Sequence, residues 1–377
     1  MLDNDPKPAA ASRRPAPKAR LRFPVALIAL LGALAHGGHA SGQKAPAPEA
    51  TPMVVDLHVD VPYQVHFKRR NPALNEGHAT PATLKAGGYG GIVLPIYMHP
   101  VHKDGSHLED ASGILASIEA IVEKSQGFTK IGAPSAEPGK VSVFLSIEGA
   151  GAFSKDVPAI DRFIERGVRL IGPVHSSNND FASSATGKRV SFGLTDLGKQ
   201  FCKRIYERGA LVDVSHLSDA GFVDLLPIAR SFGAPIVATH SNARAVADHP
   251  RNLTDDQLRA IAETGGVAGL NFHSPFVTVK EEATLDHVVR QLDHMVKIAG
   301  VDHVAIGSDY DGGITPAKGL EDAAKLPRLA ARMRKGGMSD LDVLKIFSLN
   351  ALRVLGWRPP GWGLPGGTGA AAEPSAE

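Results

Sequence analysis

Histidine and carboxylate residues recur at the ends of short apolar runs along this 377-residue chain. A carboxylate that directly follows a buried strand is costly unless it is paired or bound to a metal. Neutral imidazoles combined with carboxylates are the ligands that zinc favours in catalytic sites. The pattern therefore predicts a metal-dependent hydrolase. The run ends that carry such side chains are His58, Asp60, Glu148, His175, His216, His240 and Asp309.

The number of these residues indicates more than one metal ion. The first run carries an Asp-x-His-x-Asp triplet at 56–60, whose alternate side chains would share one face of a strand. Alone, the triplet is a weak signal for a metal site, and it more often marks buried polar residues that hydrogen-bond each other. With the other run ends it supplies too many ligands for one tetrahedral zinc, and suits two metals about 3.5–4 Å apart that share a carboxylate. The candidate ligands are His58, Asp60, Glu148, His216 and His240.

The apolar runs are predicted strands, and amphipathic helical patterns separate them. Strands that alternate with helices describe a (β/α)8 barrel, whose active site lies at the C-terminal ends of the strands. We therefore expect the run-end residues to converge in one barrel domain at 53–357. On the predicted helix 284–299, the side chains of His287 and His294 are expected to be exposed. The predicted strands are 53–60, 91–98, 141–148, 168–175, 211–216, 235–240, 267–272 and 303–309, and the predicted helices are 110–124, 195–208, 254–264, 284–299 and 339–354.

The ends of the chain differ in composition from the barrel region. A basic stretch, a short apolar run and small residues predict an export signal at 1–40, followed by an Ala/Pro-rich linker at 41–52. We expect an exported, periplasmic protein, with an uncleaved membrane anchor through the apolar run as the alternative. The Gly/Pro/Ala-rich segment 358–377 predicts a disordered tail. The single cysteine, Cys202, excludes an intrachain disulfide.

Charge gives no indication of a nucleic-acid partner. The formal net charge is +2. Residues 1–40 carry six Lys/Arg against two Asp, or +4, so the remainder sits near −2. A nucleic-acid-binding domain would need a clustered basic face, so we expect small-molecule substrates and no nucleic acid.

Five motifs together resemble the membrane dipeptidase (renal dipeptidase) family of zinc peptidases. The resemblance covers about residues 53–357 and is specific because the short motifs occur in the family's order. It implies a distorted (β/α)8 barrel and a membrane-dipeptidase-type metallopeptidase with two Zn²⁺ per chain. The motifs are Asp56-Leu-His58-Val-Asp60, Ile147-Glu148-Gly149, Leu211-Val-Asp-Val-Ser-His216, Thr239-His240-Ser241 and Ile306-Gly-Ser-Asp309-Tyr-Asp311-Gly312.

The resemblance also implies a role for each site residue. His58 and Asp60 would bind one zinc, His216 and His240 the other, with Glu148 bridging both. Three further positions match the family's catalytic and substrate-binding residues. His175 would contact the scissile carbonyl, Arg251 would hold the substrate's C-terminal carboxylate, and Asp309 would lie beside the metal-bound water.

The implied activity is hydrolysis of dipeptides with a free C-terminal carboxylate by a metal-bridging hydroxide. Val174 and Tyr63 depart from the family's commoner Thr and Trp, which leaves the preferred side chains open. One alternative is another metal-dependent barrel amidohydrolase of lactonase or phosphotriesterase type, although His58-x-Asp60 stands here where His-x-His is usual. A second alternative is an inactive metal-binding scaffold. A homodimer is an assembly that the sequence leaves open.

Overall fold

The computed structural model describes residues 52–98, 107–125, 127–132, 139–188 and 192–356. All of them belong to one unit, Ala45–Arg358. The predicted export signal, the linker up to residue 51 and the predicted tail lie outside the described residues. Within the described part of the chain, no helix combines the length and apolar character needed to cross a membrane.

Eight parallel strands form a nearly closed barrel, which confirms the predicted (β/α)8 fold. The strands pair in the order β6-β5-β4-β2-β1-β9-β8-β7, and a parallel bridge between Asp213 and Val237 brings the two outermost strands together. One additional strand, β3, was not predicted from the sequence; it pairs with the first residues of β4. The strands are β1 (Val54–Asp56), β2 (Tyr89–Tyr97), β3 (Phe128–Ile131), β4 (Val141–Glu148), β5 (Val168–Gly172), β6 (Leu211–Val212), β7 (Val237–Ala238), β8 (Val267–Leu270) and β9 (Val304–Ile306).

Helices follow the strands and cover the outside of the barrel. Three helices are capped by the first residue of a predicted helical range, because the hydroxyls of Thr195, Thr254 and Ser339 each accept a backbone N–H from the first helical turn. The predicted helix 339–354 is continuous, with a π-helical turn at Lys345–Leu349 between α11 and α12. The α-helices are α1 (Val61–His66), α2 (Pro81–Gly87), α3 (His107–Lys124), α4 (Ile160–Glu165), α5 (Asp196–Glu207), α6 (Asp219–Phe232), α7 (Asp255–Glu263), α8 (Ser274–Val277), α9 (Leu285–Ala299), α10 (Leu326–Lys335), α11 (Asp340–Leu344) and α12 (Asn350–Val354).

Buried side chains form two clusters, one on each side of the strands. The larger cluster fills the space between the strands and the surrounding helices. The smaller one joins Val55, Val93 and Phe144 of neighbouring strands to Leu352 and Leu355 at the C-terminal end of the fold. Large apolar side chains therefore fill the barrel below the strand ends, and the polar site residues occupy the positions above them.

One histidine of α9 is not where the sequence suggested. His287 is buried rather than exposed, and its Nδ1 accepts the backbone N–H of Thr284 at 3.1 Å. His287 thus completes a capping box at the start of α9, a role usually filled by Glu or Gln. His294 on the same helix is partly buried and lies 2.7 Å from Asp255.

Candidate active site

The predicted site residues lie at or just beyond the C-terminal ends of the barrel strands. Glu148 is the last residue of β4. The others sit in the loops that follow, where parallel strands present their ends to one another. His58 follows β1, His175 follows β5, His216 follows β6, His240 and Arg251 follow β7, and Asp309 follows β9.

Glu148 lies at the centre of the site. Its Oε1 is 3.0 Å from Nε2 of His216 and 3.5 Å from Nε2 of His240. The same oxygen is 3.7 Å from Nε2 of His58 and 3.9 Å from Nε2 of His175. Four imidazole nitrogens therefore face one buried carboxylate oxygen, an arrangement that brings together side chains from five strand ends.

Two groups of potential metal ligands share this carboxylate. His58, Asp60 and Glu148 form the first, called here the His58 triad, and Glu148, His216 and His240 form the second, the His216 triad. In each triad the ligand atoms all lie within 4.8 Å of one another. A further group of the same kind joins His58 and His240 to Asp309. The geometry fits two metal ions bridged by Glu148.

Unsatisfied ring nitrogens support metal binding by these triads. Nδ1 of His58 and Nδ1 of His216 are buried without a hydrogen-bond partner among the described residues, and Nε2 of His58 lies 3.2 Å from Oδ2 of Asp60. Nε2 of His216 and Nε2 of His240 lie only 3.0 Å apart. Buried polar atoms that lack partners are costly, and a cation between these nitrogens and the carboxylates would satisfy them. The donor set of imidazoles and carboxylates is the one that zinc favours.

The protonation equilibria divide the site into two parts. Burial lowers the pKa of His216 and of His240 well below the usual value, and the charge of Arg251 lowers both further. Burial also disfavours protonation of His58, but the carboxylates of Asp60 and Glu148 outweigh it and raise the pKa of His58 to about 10. Without metal, the His216 triad therefore presents neutral imidazoles, whereas the His58 triad holds a protonated one.

The buried carboxyls have raised pKa values. Burial raises the pKa of Glu148 to about 8, with His58 opposing and Asp60 adding to the shift. Burial and the charge of Asp60 raise the pKa of Asp309 to about 7. Asp309 is also held in place, because Nδ2 of Asn271 donates to its Oδ2 at 2.9 Å. A carboxyl with a pKa near neutrality is suited to accepting and releasing a proton.

Two site residues adopt the left-handed backbone conformation. His216 has φ 70° and Asp309 has φ 65°, values that side-chain-bearing residues rarely adopt. Gly312 approaches the site closely, since a Cβ there would lie 2.5 Å from Oδ1 of Asp309 and 2.7 Å from Oδ2 of Asp60. The turn after β9 therefore needs glycine at this position to bring the two carboxylates together. Such backbone strain tends to concentrate at functional sites.

A cavity of about 630 Å³ opens onto the triads. Its carboxylates, Asp60, Glu148 and Asp309, lie at the metal-ligand end. Arg251 also lines the cavity; it is buried, its guanidinium lies 5.4 Å from the ring of Phe276, and its Nε has no partner among the described residues. The structure thus brings all eight sequence-predicted residues to one location. The lining is completed by Tyr63, Tyr97, His175, Ser176, Thr186, His216, His249, His273, Phe276 and residues 312–314.

Several lining residues were missed by sequence reasoning. Tyr97 ends β2, and its ring meets that of His175 edge-on at 4.8 Å. His249 and His273 belong to the loops after β7 and β8. Their position in loops beyond strand ends could have indicated a place in the site, but neither histidine is the last residue of a predicted apolar run. Another cavity, of about 570 Å³, lies beside α3 and β3, and none of the predicted site residues lines it.

The Asp-x-His-x-Asp triplet is only partly used in the site. Strand β1 ends at Asp56, and the side chain of Asp56 bonds to the Tyr89 hydroxyl and to the backbone N–H of Ser308. The prediction that all three side chains serve the site is therefore met by only two of them. His58 and Asp60 join the metal-ligand group, while Asp56 braces the strand ends behind it.

Known proteins share this fold and this arrangement of motifs. The family model of the membrane dipeptidases, peptidase family M19, matches residues 45–357. An uncharacterized dipeptidase of Schizosaccharomyces pombe is 29% identical over 80% of this chain and 80% of its own. The crystal structure of dipeptidase AC, a metallopeptidase of family M19, is 30% identical with a TM-score of 0.74, covering 81% of this chain and 98% of the other.

A second similar solved structure contains a bound ligand. It is a metallopeptidase from Rhodobacter sphaeroides, liganded with a phosphinate mimic of the dipeptide L-Ala-D-Ala. It is 29% identical, with a TM-score of 0.72, and the match covers 83% of this chain and all of the other. Family match, barrel and site agree, and the chain belongs to the membrane dipeptidase family of metallopeptidases (peptidase family M19).

Proposed function

We propose that this protein is a zinc-dependent dipeptidase that holds two Zn²⁺ and hydrolyses dipeptides with a free C-terminal carboxylate. The observation that carries the proposal is the shared carboxylate. Glu148 belongs to both triads, and the cavity that exposes it also contains the buried guanidinium of Arg251. A two-metal hydrolytic centre and a carboxylate-binding cation within one cavity suit a short peptide with a free C-terminus.

The proposed ligand assignment follows the triads. His58 and Asp60 would hold one ion, His216 and His240 the other, and Glu148 both. When bound, the ions supply the Lewis acidity that activates water and polarises a peptide carbonyl. The remaining chemistry belongs to side chains of the chain itself.

Asp309 is positioned to move the proton in the reaction. Its carboxylate lies within the ligand group of His58 and His240, and Asn271 fixes one of its oxygens. We assign to it acceptance of the proton from the attacking water and delivery of that proton to the leaving nitrogen. Both transfers need a carboxyl that can ionise near neutral pH, and burial gives Asp309 a pKa of about 7.

His175 is placed to stabilise the developing charge on the carbonyl oxygen. Its Nε2 lies 3.9 Å from Oε1 of Glu148, and its ring is packed against Tyr97 at the cavity wall. Donation from Nε2 to the oxyanion would be stronger in the transition state than in the ground state. Loss of one such donor typically lowers the rate about 10²–10³-fold.

Arg251 would read the substrate's C-terminal carboxylate. A guanidinium can pair with a carboxylate through two parallel hydrogen bonds. Because Arg251 is buried and its Nε lacks a partner among the described residues, an uncharged C-terminus would leave it unpaired. The Rhodobacter sphaeroides relative binds a phosphinate mimic of L-Ala-D-Ala, which supports testing L,D as well as L,L dipeptides here.

The test compares matched dipeptides and their C-terminal amides with the zinc-loaded enzyme. We expect kcat/KM for the acid to exceed that for the amide by an amount equivalent to about 2–5 kcal/mol. Arg251→Ala should erase most of this difference, whereas Arg230→Ala, which removes an exposed partner of Glu263, should leave it unchanged. Equal rates for acid and amide with the unmodified enzyme would remove Arg251 from recognition and favour the wider amidohydrolase reading.

The cellular location is a separate proposal. We propose that the exported form begins near Ser41, after the small residues that end at Ala40. N-terminal sequencing of protein recovered from the native host tests this. An intact Met1 terminus in the membrane fraction would establish the anchored form instead.

A further inference from the structure

One wall of the substrate cavity is made only of hydrogen-bond donors and an aromatic ring. This donor wall consists of Arg251, His249, His273 and Phe276. Phe276 lies between the two imidazoles, with ring centroids 4.6 Å from His249 and 4.7 Å from His273. The carboxylates that line the cavity all belong to the metal-ligand end. From that end the charges of Asp309 and Glu148 favour the charged form of Arg251, and no carboxylate belongs to the donor wall itself.

Backbone contacts set the tautomer of both imidazoles. Nδ1 of His249 accepts the backbone N–H of Arg251 at 3.1 Å, and Nδ1 of His273 accepts the backbone N–H of Thr315 at 3.1 Å. Burial lowers the pKa of both rings, so at neutral pH each is uncharged. In the neutral ring, an acceptor at Nδ1 places the proton on Nε2. Each ring therefore offers an N–H that no described protein group accepts.

The loop that carries His249 and Arg251 is held rigidly. Arg244 makes two hydrogen bonds to the carboxylate of Asp219, at 2.6 and 2.9 Å, and its Nε donates to the carbonyl of Asn252. Nδ2 of Asn252 donates to the carbonyl of Phe276 at 2.9 Å, which ties this loop to the one after β8. Donors fixed in this way bind an anion without the entropic cost of ordering them.

The donor wall has more donors than the C-terminus of a dipeptide requires. The proposed function already uses Arg251 for the α-carboxylate, and one guanidinium satisfies a carboxylate bidentately. Two imidazole N–H groups remain on the same wall. A second acceptor, carried by the side chain of the substrate's C-terminal residue, would satisfy them.

We propose that His249 and His273 determine specificity, and that with Arg251 they select dipeptides whose C-terminal residue is aspartate or glutamate. This inference rests on the proposed dipeptidase activity and names its preferred substrate class. The side-chain carboxylate accepts from Nε2–H of His249 and His273, while the α-carboxylate pairs with Arg251.

The test uses substrates that differ by one charge. Ala-Asp, Ala-Asn and Ala-Ala, each with an L or a D second residue, are compared on the zinc-loaded full-length enzyme. Asparagine keeps the shape of aspartate but loses the carboxylate, so the ratio of kcat/KM for Asp over Asn isolates the anion contacts. Hydrogen bonds to a charged group predict a ratio of about tenfold to a hundredfold for the better stereoisomer.

Asparagine at each histidine, and glutamine at His273, separate the effect of the donor from that of ring packing. His249→Asn and His273→Asn keep an oxygen that can replace Nδ1 as the backbone acceptor but remove Nε2–H, so each should lower the Asp/Asn ratio and the double variant should bring it near one. His273→Gln retains a donor at the distance of Nε2 and should restore part of the ratio. His294→Asn, on a histidine remote from the cavity that pairs with Asp255, serves as the control and should not change it.

The outcomes distinguish this inference from the proposed function. Absence of hydrolysis of all the dipeptides, Ala-Ala included, would contradict the dipeptidase itself. Hydrolysis of Ala-Ala with an Asp/Asn ratio near one in the unmodified enzyme would overturn the inference alone. An unchanged ratio in the double asparagine variant would also overturn it, because each ratio is measured within one protein and does not depend on how much of that variant is folded.

Discussion

The two halves of the metal centre are braced by buried aspartates in the same way. On one side, Oδ1 of Asp56 accepts the backbone N–H of His58 at 3.1 Å and that of Ser308 at 2.9 Å. On the other, Oδ1 of Asp213 accepts the N–H of Ser215 at 2.9 Å and that of Thr239 at 3.0 Å. Each carboxylate joins the end of its own strand to the segment after the neighbouring strand.

The second oxygen of each aspartate is used differently. Oδ2 of Asp213 accepts the hydroxyl of Thr239 at 2.6 Å, and that hydroxyl lies 2.8 Å from Nδ1 of His240. The contact fixes the His240 ring with Nε2 toward Glu148. Oδ2 of Asp56 instead accepts the hydroxyl of Tyr89 at 3.2 Å; Nδ1 of His58 has no described partner, and its Nε2 lies 3.2 Å from Oδ2 of Asp60. A described side chain therefore contacts the Nδ1 of His240 but not the Nδ1 of His58.

The histidines of the two triads also differ in charge. Metal ligands must be deprotonated to bind. Burial keeps His216 and His240 neutral, whereas the carboxylates around His58 raise its pKa to about 10. The imidazoles of the His216 triad can therefore bind a cation directly, whereas the His58 triad must lose a proton before it can bind a cation. The two triads have similar ligands, but they differ in the protonation state of those ligands before a metal binds.

The substitution with the largest expected effect removes a ligand that the two triads share. Glu148→Gln keeps the shape of the shared side chain but removes its charge. We expect loss of metal from both triads and activity below detection, measured by elemental analysis and by dipeptide hydrolysis.

The metal-free Glu148→Gln protein should nevertheless melt at or above the temperature of the metal-free parent, because burial raises the pKa of Glu148 and so disfavours its charged form. This separates failed binding from failed folding. Two bound metals together with near-parental activity would contradict the shared-carboxylate assignment.

The affinity of the protein for zinc should depend on pH, because the His58 triad holds a proton that the His216 triad lacks. In the metal-free protein the pKa of His58 is raised to about 10 and that of Glu148 to about 8, so this pair holds at least one proton at pH 7 that a cation must displace. Zinc affinity should rise from pH 6 to pH 8 by about tenfold per pH unit for each proton displaced. Titration calorimetry in buffers of different ionisation enthalpy counts these protons. Zinc binding without proton release would refute the proposed difference in protonation between the His58 triad and the His216 triad.

The stability of the metal-free protein should change in the opposite direction. A group whose pKa is higher in the folded than in the unfolded state contributes stability at low pH, and that stability is lost as the pH rises through the folded value. For Glu148 and His58 the loss begins above their ordinary values of 4.5 and 6.5 and continues to about 8 and 10. We therefore expect the metal-free melting temperature to fall from pH 7 to pH 9 while the gain on adding zinc grows.

Thr239→Val tests the His240 side of the metal centre alone. The substitution keeps the shape of the side chain and removes the hydroxyl that links Asp213 to His240. Loss of such a supporting contact typically lowers metal affinity about 10–100-fold, and we expect this for one of the two ions, measured by competition with a chromophoric chelator. Ser146→Ala, which removes a buried β4 hydroxyl that has no described partner, is the matched control and should leave affinity unchanged.

The barrel and the ligand group were predictable because each depends on short-range patterns. A buried strand is an apolar run, and in a parallel barrel every such run ends at the same face. Glu148, His216 and His240 could be found this way without knowing any contact between them. Their roles as zinc ligands stay predictions, as do those of His175, Arg251 and Asp309.

The remaining features depend on contacts between distant parts of the chain. The direction of Asp56 is set by Ser308, 252 residues away. The wall position of His249 depends on the Arg244–Asp219 pair, and that of His273 on the loop around Thr315. No local spacing encodes such contacts. Strand β3 was missed because it is short and pairs only with the start of β4.

The smallest expected effect comes from Tyr89→Phe, which tests the other brace. This change removes the hydroxyl that donates to Oδ2 of Asp56 and leaves the aromatic ring in the core. One buried hydrogen bond contributes about 1 kcal/mol to the free energy of unfolding, and denaturant titration in the presence of chelator measures the loss. Zinc affinity should not change, because Asp56 contacts only the backbone of His58 and does not orient its ring. A drop in affinity comparable to that of Thr239→Val would show that both aspartates position ligands, and would remove the distinction between the two halves.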